Sequence, residues 1–220
     1  MTSLKTLAVS ACFVAAASWT ATASANLLTN PGFESPVEFD FSNTDNWNGF
    51  FGGPADAQLL ANNDTGAPAF NGNAALEIQL NGTQAGNGTN AFVGHVQNVS
   101  GLTGETDYTL STWARNLGSS LTGNVEFRIE FQDASGTEIS RDQANLEDVL
   151  TDTYQLFSRT VTTPAGTTQA SVVFAVASFN QDVPHSNAVA FDDVSLVPEP
   201  ATAALLGLGG LAMLRRRDAK

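Results

Sequence analysis

The sequence predicts an all-β sandwich of antiparallel strands, with a distinct segment at each end of the chain. Two observations carry this. Short stretches of alternating or β-branched residues recur through the middle of the chain. Turn signals punctuate them: Asn71-Gly72, Asn81-Gly82, Asn87-Gly88, Ser135-Gly136 and Pro164-Ala165-Gly166. Only residues 143–150 read as weakly helical, and they read equally well as a polar loop.

Taken in order, residues 52–72 are rich in Gly, Ala, Asn and Pro and predict a long loop with at most one short strand. In 76–80, Leu76, Ile78 and Leu80 alternate with Glu77 and Gln79. In 108–115, Tyr108, Leu110, Thr112 and Ala114 share one face, and Thr109, Ser111, Trp113 and Arg115 the other. In 125–132, Val125, Phe127, Ile129 and Phe131 oppose Glu126, Arg128, Glu130 and Gln132. Residues 154–161 and 171–179 are β-branched and aromatic, and 188–196 closes the domain. No internal repeat is present. With Leu110 and Phe127 in the core, Trp113 and Arg115 are expected to face outward beside Arg128 and Glu130. A large aromatic among charged side chains suits a sugar, whose C–H face stacks on the ring while charged groups bond its hydroxyls. The alternative is that a loop covers Trp113, such as the one holding Trp47, Phe50 and Phe51.

The two ends read as sorting segments. Lys5, the apolar run 7–17 and Ala23-Ser24-Ala25 have the order of a secretory signal with an A-x-A cleavage site, so 1–25 is expected to be removed. At the other end Val197-Pro198-Glu199-Pro200 precedes an apolar stretch, 201–214, and Arg215-Arg216-Arg217. The apolar stretch is shorter than the roughly 20 residues that span a bilayer, and it contains Gly207, Gly209 and Gly210. The three arginines mark a cytoplasmic stop, and the prolines break any helix arriving from the domain. Between the ends lies one domain, 26–196, large enough to bury a core without staples. The chain's only cysteine, Cys12, falls in the signal, so the domain has none. Residues 26–197 hold four arginines, no lysine and twenty acidic residues, a charge near −16. Such a surface repels phosphate backbones, which argues against nucleic acid as a partner, and favours divalent cations.

These residues carry two resemblances. The tail, 197–220, resembles the PEP-CTERM sorting tail that an exosortase processes in Gram-negative bacteria that make exopolysaccharide; the resemblance implies transient inner-membrane anchoring and delivery to the cell surface or matrix. The domain opens on Asn26-Leu27-Leu28-Thr29-Asn30-Pro31-Gly32-Phe33-Glu34, followed by Trp47. Its middle holds Gly101-Leu102-Thr103-Gly104, then Tyr108-Thr109-Leu110-Ser111 and Trp113, and it ends on Phe191-Asp192-Asp193-Val194-Ser195-Leu196. This pattern resembles carbohydrate-binding modules of families four, nine and twenty-two. It implies a galactose-binding-like jelly-roll β-sandwich, flanked here by an N-terminal signal helix and a C-terminal hydrophobic helix. In that fold the first and last strands lie side by side, bringing Glu34 near Asp192 or Asp193, and carboxylates that close need a neutralising partner. The family often holds a structural calcium there; the carried-over positions are Glu34, Asp192 and the 71–74 loop with Asn71 and Ala74, where Asn71 offers an amide rather than a carboxylate oxygen.

Catalysis finds little support. His95 and His185 stand in no H-E-x-x-H pattern, and G-x-S-x-G and P-loop patterns are absent. The expected function is therefore a noncatalytic, exported surface or matrix component that binds polysaccharide through Trp113, Arg115, Arg128 and Glu130. The alternative is an acidic, calcium-dependent structural or adhesive protein without a sugar site, and a glycan-active enzyme ranks third.

Overall fold

The computed structural model describes residues 25–35, 47–53, 58–62, 66–83, 91–118, 121, 123–178 and 184–199. Among them are β1 (Asn48–Gly52), β2 (Gln58–Asn62), β3 (Leu76–Thr83), β4 (Ala91–Ser100), β5 (Asp107–Asn116), β6 (Asn124–Gln132), β7 (Glu138–Asn145), β8 (Gln155–Thr162), β9 (Gln169–Ser178) and β10 (Pro184–Pro198). They form two five-stranded sheets, in the orders β1-β4-β9-β6-β7 and β2-β3-β10-β5-β8. Every pairing between neighbours is antiparallel. This is a jelly-roll sandwich, as expected. The expected signal helix, hydrophobic helix and 201–214 segment lie outside the described residues, among which no helix is long and apolar enough to cross a membrane.

The alternations read from sequence set the inner faces. The first sheet contributes Val93, His95, Val125, Phe127, Ile129, Val172, Phe174 and Val176; the second contributes Leu76, Ile78, Leu80, Leu110, Val189, Phe191 and Leu196, all buried. Phe174 lies at the centre, its ring 4.6 Å from Phe191, 5.7 Å from Trp47 and 5.8 Å from Phe127. Trp47 is fully buried and donates its Nε1–H to Asn30 O at 3.1 Å. It therefore belongs to the core and covers no outer face.

Three elements differ from the sequence reading. Residues 138–145 form edge strand β7, and 146–150 a turn closed by Val149 and Leu150 N–H on Leu146 O, so 143–150 is not helical. The low apolar content of β7 follows from its edge position, with only one side paired. Strand β4 (Ala91–Ser100) lies inside the sheet, between β1 and β9, yet its alternation is hidden by His95 and Gln97 on the core face and by Phe92 and Val96 on the other. Residues 25–35 form no strand. They cross from β10 to β4: Leu27 N–H bonds Leu196 O at 2.9 Å, Val194 N–H bonds Pro31 O at 2.9 Å, and Thr29 exchanges two 2.8 Å bonds with the Gln97 amide.

Phe174 is the side chain on which both sheets close. Phe174→Ala is expected to lower the unfolding free energy by about 3–5 kcal/mol, the range for a large aromatic removed from a packed core, as measured by urea unfolding. A loss under 1 kcal/mol would contradict its central place.

Candidate functional site

The Asn30-Pro31-Gly32-Phe33-Glu34 motif is a tight turn. Asn30 and Phe33 adopt φ of 46° and 54°, and the Asn30 side chain exchanges 3.1 Å bonds with the backbone of Ser35. The turn presents Glu34 to the loop before β3, where its carboxylate accepts from Asn73 N–H at 3.0 Å and Ala74 N–H at 3.3 Å. Asp192, fully buried, accepts on Oδ2 from Phe70 N–H at 2.8 Å and Asn71 N–H at 3.1 Å, and on Oδ1 from its neighbour Asp193 at 2.7 Å. The loop before β3 thus sets Ala74 against Glu34 and Asn71 against Asp192. Asn71 turns its amide oxygen toward Gly72 N–H at 3.0 Å. Gly72 is required: its φ is 73°, and a Cβ there would stand 2.0 Å from Glu34 Oε1. The donors around the two carboxylates are backbone N–H groups. Among the described residues no group of three or more His, Cys, Asp or Glu has a metal-holding arrangement.

That latched loop carries Phe70 onto the outer face of the second sheet. Phe70 stacks on Trp113 with centroids 3.9 Å apart and planes 12° apart, and Tyr154 meets Phe70 edge-on at 5.7 Å. Tyr154 donates to Pro68 O at 2.6 Å, and Arg115 lies over its ring at 5.6 Å. Burial raises the Tyr154 phenol well above its usual range, with the Asp192 charge adding and Arg115 opposing. Trp113 and Arg115 do face outward. However, β5 and β6 belong to different sheets, so they stand on the opposite side of the sandwich from Arg128 and Glu130. The expected four-residue sugar site is not assembled. The covering loop is the one with Phe70, and Trp47, Phe50 and Phe51 lie elsewhere.

Arg128 and Glu130 belong to a different surface, the outer face of the first sheet. Here Phe50, Phe92, Glu126, Arg128, Ala175 and Ala177 line a groove of about 360 Å³. Its floor is small and apolar because β9 places Val173, Ala175 and Ala177 outward between β4 and β6. The two phenylalanines lie flat for an identifiable reason. Phe50 pairs in register with Gly94, and Gly52 with Phe92. A Cβ on Gly94 would meet Phe50 Cζ at 2.7 Å, and one on Gly52 would meet Phe92 Cζ at 2.5 Å. Each ring covers a cross-strand glycine, so the pair forms a platform with centroids 6.3 Å apart. Beside it runs an ion-pair ladder: Glu126 with Arg128, Arg128 Nε at 2.9 Å from Glu130, Arg141 at 3.6 Å from Glu130, and Arg141 at 2.6 Å from Glu138. The Arg128 Nε–H is buried and lacks an aligned acceptor despite its closeness to Glu130. Aromatic faces beside fixed donors and acceptors can hold a polyol with one apolar face. Sequence reasoning missed Phe50, Phe92 and Glu126. The available signal was the spacing of Phe50 and Gly52 against Phe92 and Gly94, which only a pairing of β1 with β4 turns into a platform.

Comparison with known proteins agrees with this architecture. Residues 25–183 match the family described as Carbohydrate binding domain, and the chain belongs to that family. Residues 196–217 match the PEP-CTERM protein-sorting motif, which marks an exported, surface-sorted protein. No curated protein sequence matches the chain. Similar solved structures include the enzymatically active domain of tailspike protein 4 from bacteriophage CBA120, at 17% identity and TM-score 0.55, covering 79% of this chain and 21% of that one. The chain thus spans about a fifth of the tailspike chain. A cyclase from Fischerella sp. TAU follows at 18% identity and TM-score 0.51, covering 80% and 98%. The CBM22-1 xylan-binding domain of Paenibacillus barcinonensis Xyn10C has 16% identity and TM-score 0.48, covering 81% and 97%. At these identities the first two likenesses speak for the fold alone.

Asp192 gives the loop latch a pH signature. Burial raises its carboxyl above the ordinary carboxylate value, against the lowering effect of the N–H groups of Asn71, Asp193 and Phe70. A raised folded value means that Asp192 contributes most below the unfolded value and loses that contribution as pH rises through the folded one. Urea unfolding across a pH series should show wild-type stability falling on that limb relative to Asp192→Asn, which cannot ionise. Parallel pH curves for the two proteins would refute the assignment.

Proposed function

We propose that this protein is a noncatalytic, exosortase-sorted surface component whose groove on the outer face of the first sheet binds a neutral polysaccharide, with exopolysaccharide of the producing cell as the fitting partner. The observation that carries the reading is the Phe50–Phe92 platform beside the Glu126–Arg128–Glu130 ladder. The rings suit the C–H face of a pyranose, and the ladder supplies directional partners for hydroxyls. The electrostatics select against acidic glycans: both carboxylates of the ladder that line Arg128 would repel a uronate, within a domain near −16 overall. Family membership supports binding over catalysis, and the sorting motif supports exosortase processing after a transient stay at the inner membrane.

A structural calcium ion remains part of the proposal. It would be held by Glu34 and Asp192, whose oxygen-only chemistry suits a hard cation, and it would add a stronger tie to the 70–74 loop than the N–H groups alone. An acidic matrix protein assembling through calcium is the second reading, and the four-arginine, lysine-free composition of residues 26–197 favours it.

Two measurements separate these readings. In affinity electrophoresis through neutral polysaccharide gels, Phe50→Ala and Phe92→Ala are each expected to weaken retardation about five- to tenfold, the worth of one stacked aromatic, while Trp113→Ala leaves it unchanged. Loss on Trp113→Ala instead would move the site to the second sheet. Thermal unfolding with calcium and with chelator tests the ion: a midpoint that rises with calcium supports it, and equal midpoints remove it.

A further inference from the structure

The sorting motif is joined to the domain's second sheet through its first residues, 196–199. Its matched region begins at Leu196, a fully buried core residue. Strand β10 continues through it, pairing Leu196 with Leu110, Val197 with Thr109 and Pro198 with Tyr108. Glu199 extends the ladder: its N–H donates to Asp107 O at 2.8 Å, and its carboxylate accepts from the Thr109 hydroxyl. On the other edge of the strand, Asn26 Oδ1 accepts Leu196 N–H at 2.9 Å and Leu27 N–H bonds Leu196 O at 2.9 Å. Leu196 is therefore clamped from both sides, and Val197 to Glu199 from one.

This arrangement restricts processing. Peptidases take their substrates as extended strands through main-chain hydrogen bonds, and here those bonds are already made within the sheet. An extended chain covers at most about 3.6 Å per residue, so the three residues after Leu196 reach no more than about 11 Å from the core even when fully unzipped. Through Glu199 they cannot enter a recessed site without opening β10 from β5, a local unfolding step with its own free energy.

We propose that the end of β10 is a latch on the processing motif: the bond that is cut lies C-terminal to Glu199, and the rate of cutting is set by fraying of the Val197–Glu199 pairs from β5. Scission leaves the acyl group on the domain side, taken by water as a carboxylate or by an amine as a new amide, and frees the amine of the tail. The latch rests on the sorting reading above and adds to it where the cut falls and what limits it.

The test uses the full chain in a host that expresses its exosortase. Intact-mass analysis of the surface form gives its C-terminus, and pulse-chase gives the precursor-to-mature ratio. The first variant keeps residues through Glu199, then adds an eight-residue Gly/Ser spacer and a second Val-Pro-Glu-Pro before the apolar stretch, leaving the sheet untouched. The second is Thr109→Val, which removes the hydroxyl that holds Glu199. The latch predicts a wild-type C-terminus at or beyond Glu199. It also predicts processing about fivefold faster with the spacer, the equivalent of one to two net hydrogen bonds, and a smaller gain with Thr109→Val. A C-terminus upstream of Glu199, or equal rates for wild type and spacer variant, overturns the latch while leaving sorting intact. Absence of any tail removal overturns the sorting reading and the latch with it.

Discussion

One extra residue in β10 organises the rest of the sandwich. A strand turns alternate side chains inward, so Val189 and Phe191 cannot share the core with Val194 and Leu196 unless the phase is reset between them. The register against β5 shifts between Asp192 and Ser195, and Asp193 takes a φ of 44° to make the shift. The bulge keeps four apolar side chains buried along one strand. It also turns Asp192 toward the loop before β3, where it fixes Phe70 and Asn71. The turn at Gly32 packs directly against this point, since a Cβ there would lie 3.3 Å from Asp193 Oδ1 and 3.9 Å from Asp192 Oδ1. The first motif, the 70–74 loop and the closing strand are therefore one mechanical unit.

That unit explains why the two outer faces of the same sandwich differ. On the second sheet the latched loop sets Phe70 on Trp113, so one face of the indole is occupied within the chain. On the first sheet no comparable ring stacks on Phe50 and Phe92 from above among the described residues. The floor between β4 and β6 is built from Ala175, Ala177 and Gly94, residues too small to fill it. The ladder beside it alternates in sign, so each guanidinium is already partly neutralised. Replacing water over such a surface with a neutral polyol is less costly than bringing a charged ligand to it, because no ion pair has to be broken.

The fold was legible because amphipathic strands leave a period-two record. Tyr108 to Arg115 and Val125 to Gln132 show their faces without any structure, and the inward assignment of Leu110 and Phe127 holds. The motifs at the ends of the domain pointed to Glu34 and Asp192, and both carboxylates bond backbone N–H groups of the 70–74 loop. The sugar site was not, for a physical reason. Alternation tells which residues share a face of one strand, but it does not tell which strands share a sheet. Trp113 and Arg128 both point outward, and the topology sends them to opposite sides. Residues 143–150 read as weakly helical or as a polar loop because the exposed edge strand that ends at Asn145 needs few apolar residues, and the alternation of β4 is hidden because the polar side chains His95 and Gln97 face the core.

The order of chain emergence gives the closing contacts a further consequence. Strand β10 sits between β3 and β5, in the middle of the second sheet. The bonds that seal its end join Asn26 to Val194 and Leu196, which are 168 and 170 positions away. Contacts of such separation form after local ones, since a long loop must be closed before they contribute. An exported chain therefore cannot complete this sheet until residues through Glu199 have left the export channel, when the sorting segment is next to follow. Without cysteine in the domain, no cross-link can hold partial structure in the meantime. Completion of the fold and presentation of the sorting motif thus fall on the same residues. A chain that fails to seat β10 leaves Leu196 and Val197 unpaired at the start of the motif, so folding and processing compete for one stretch of backbone.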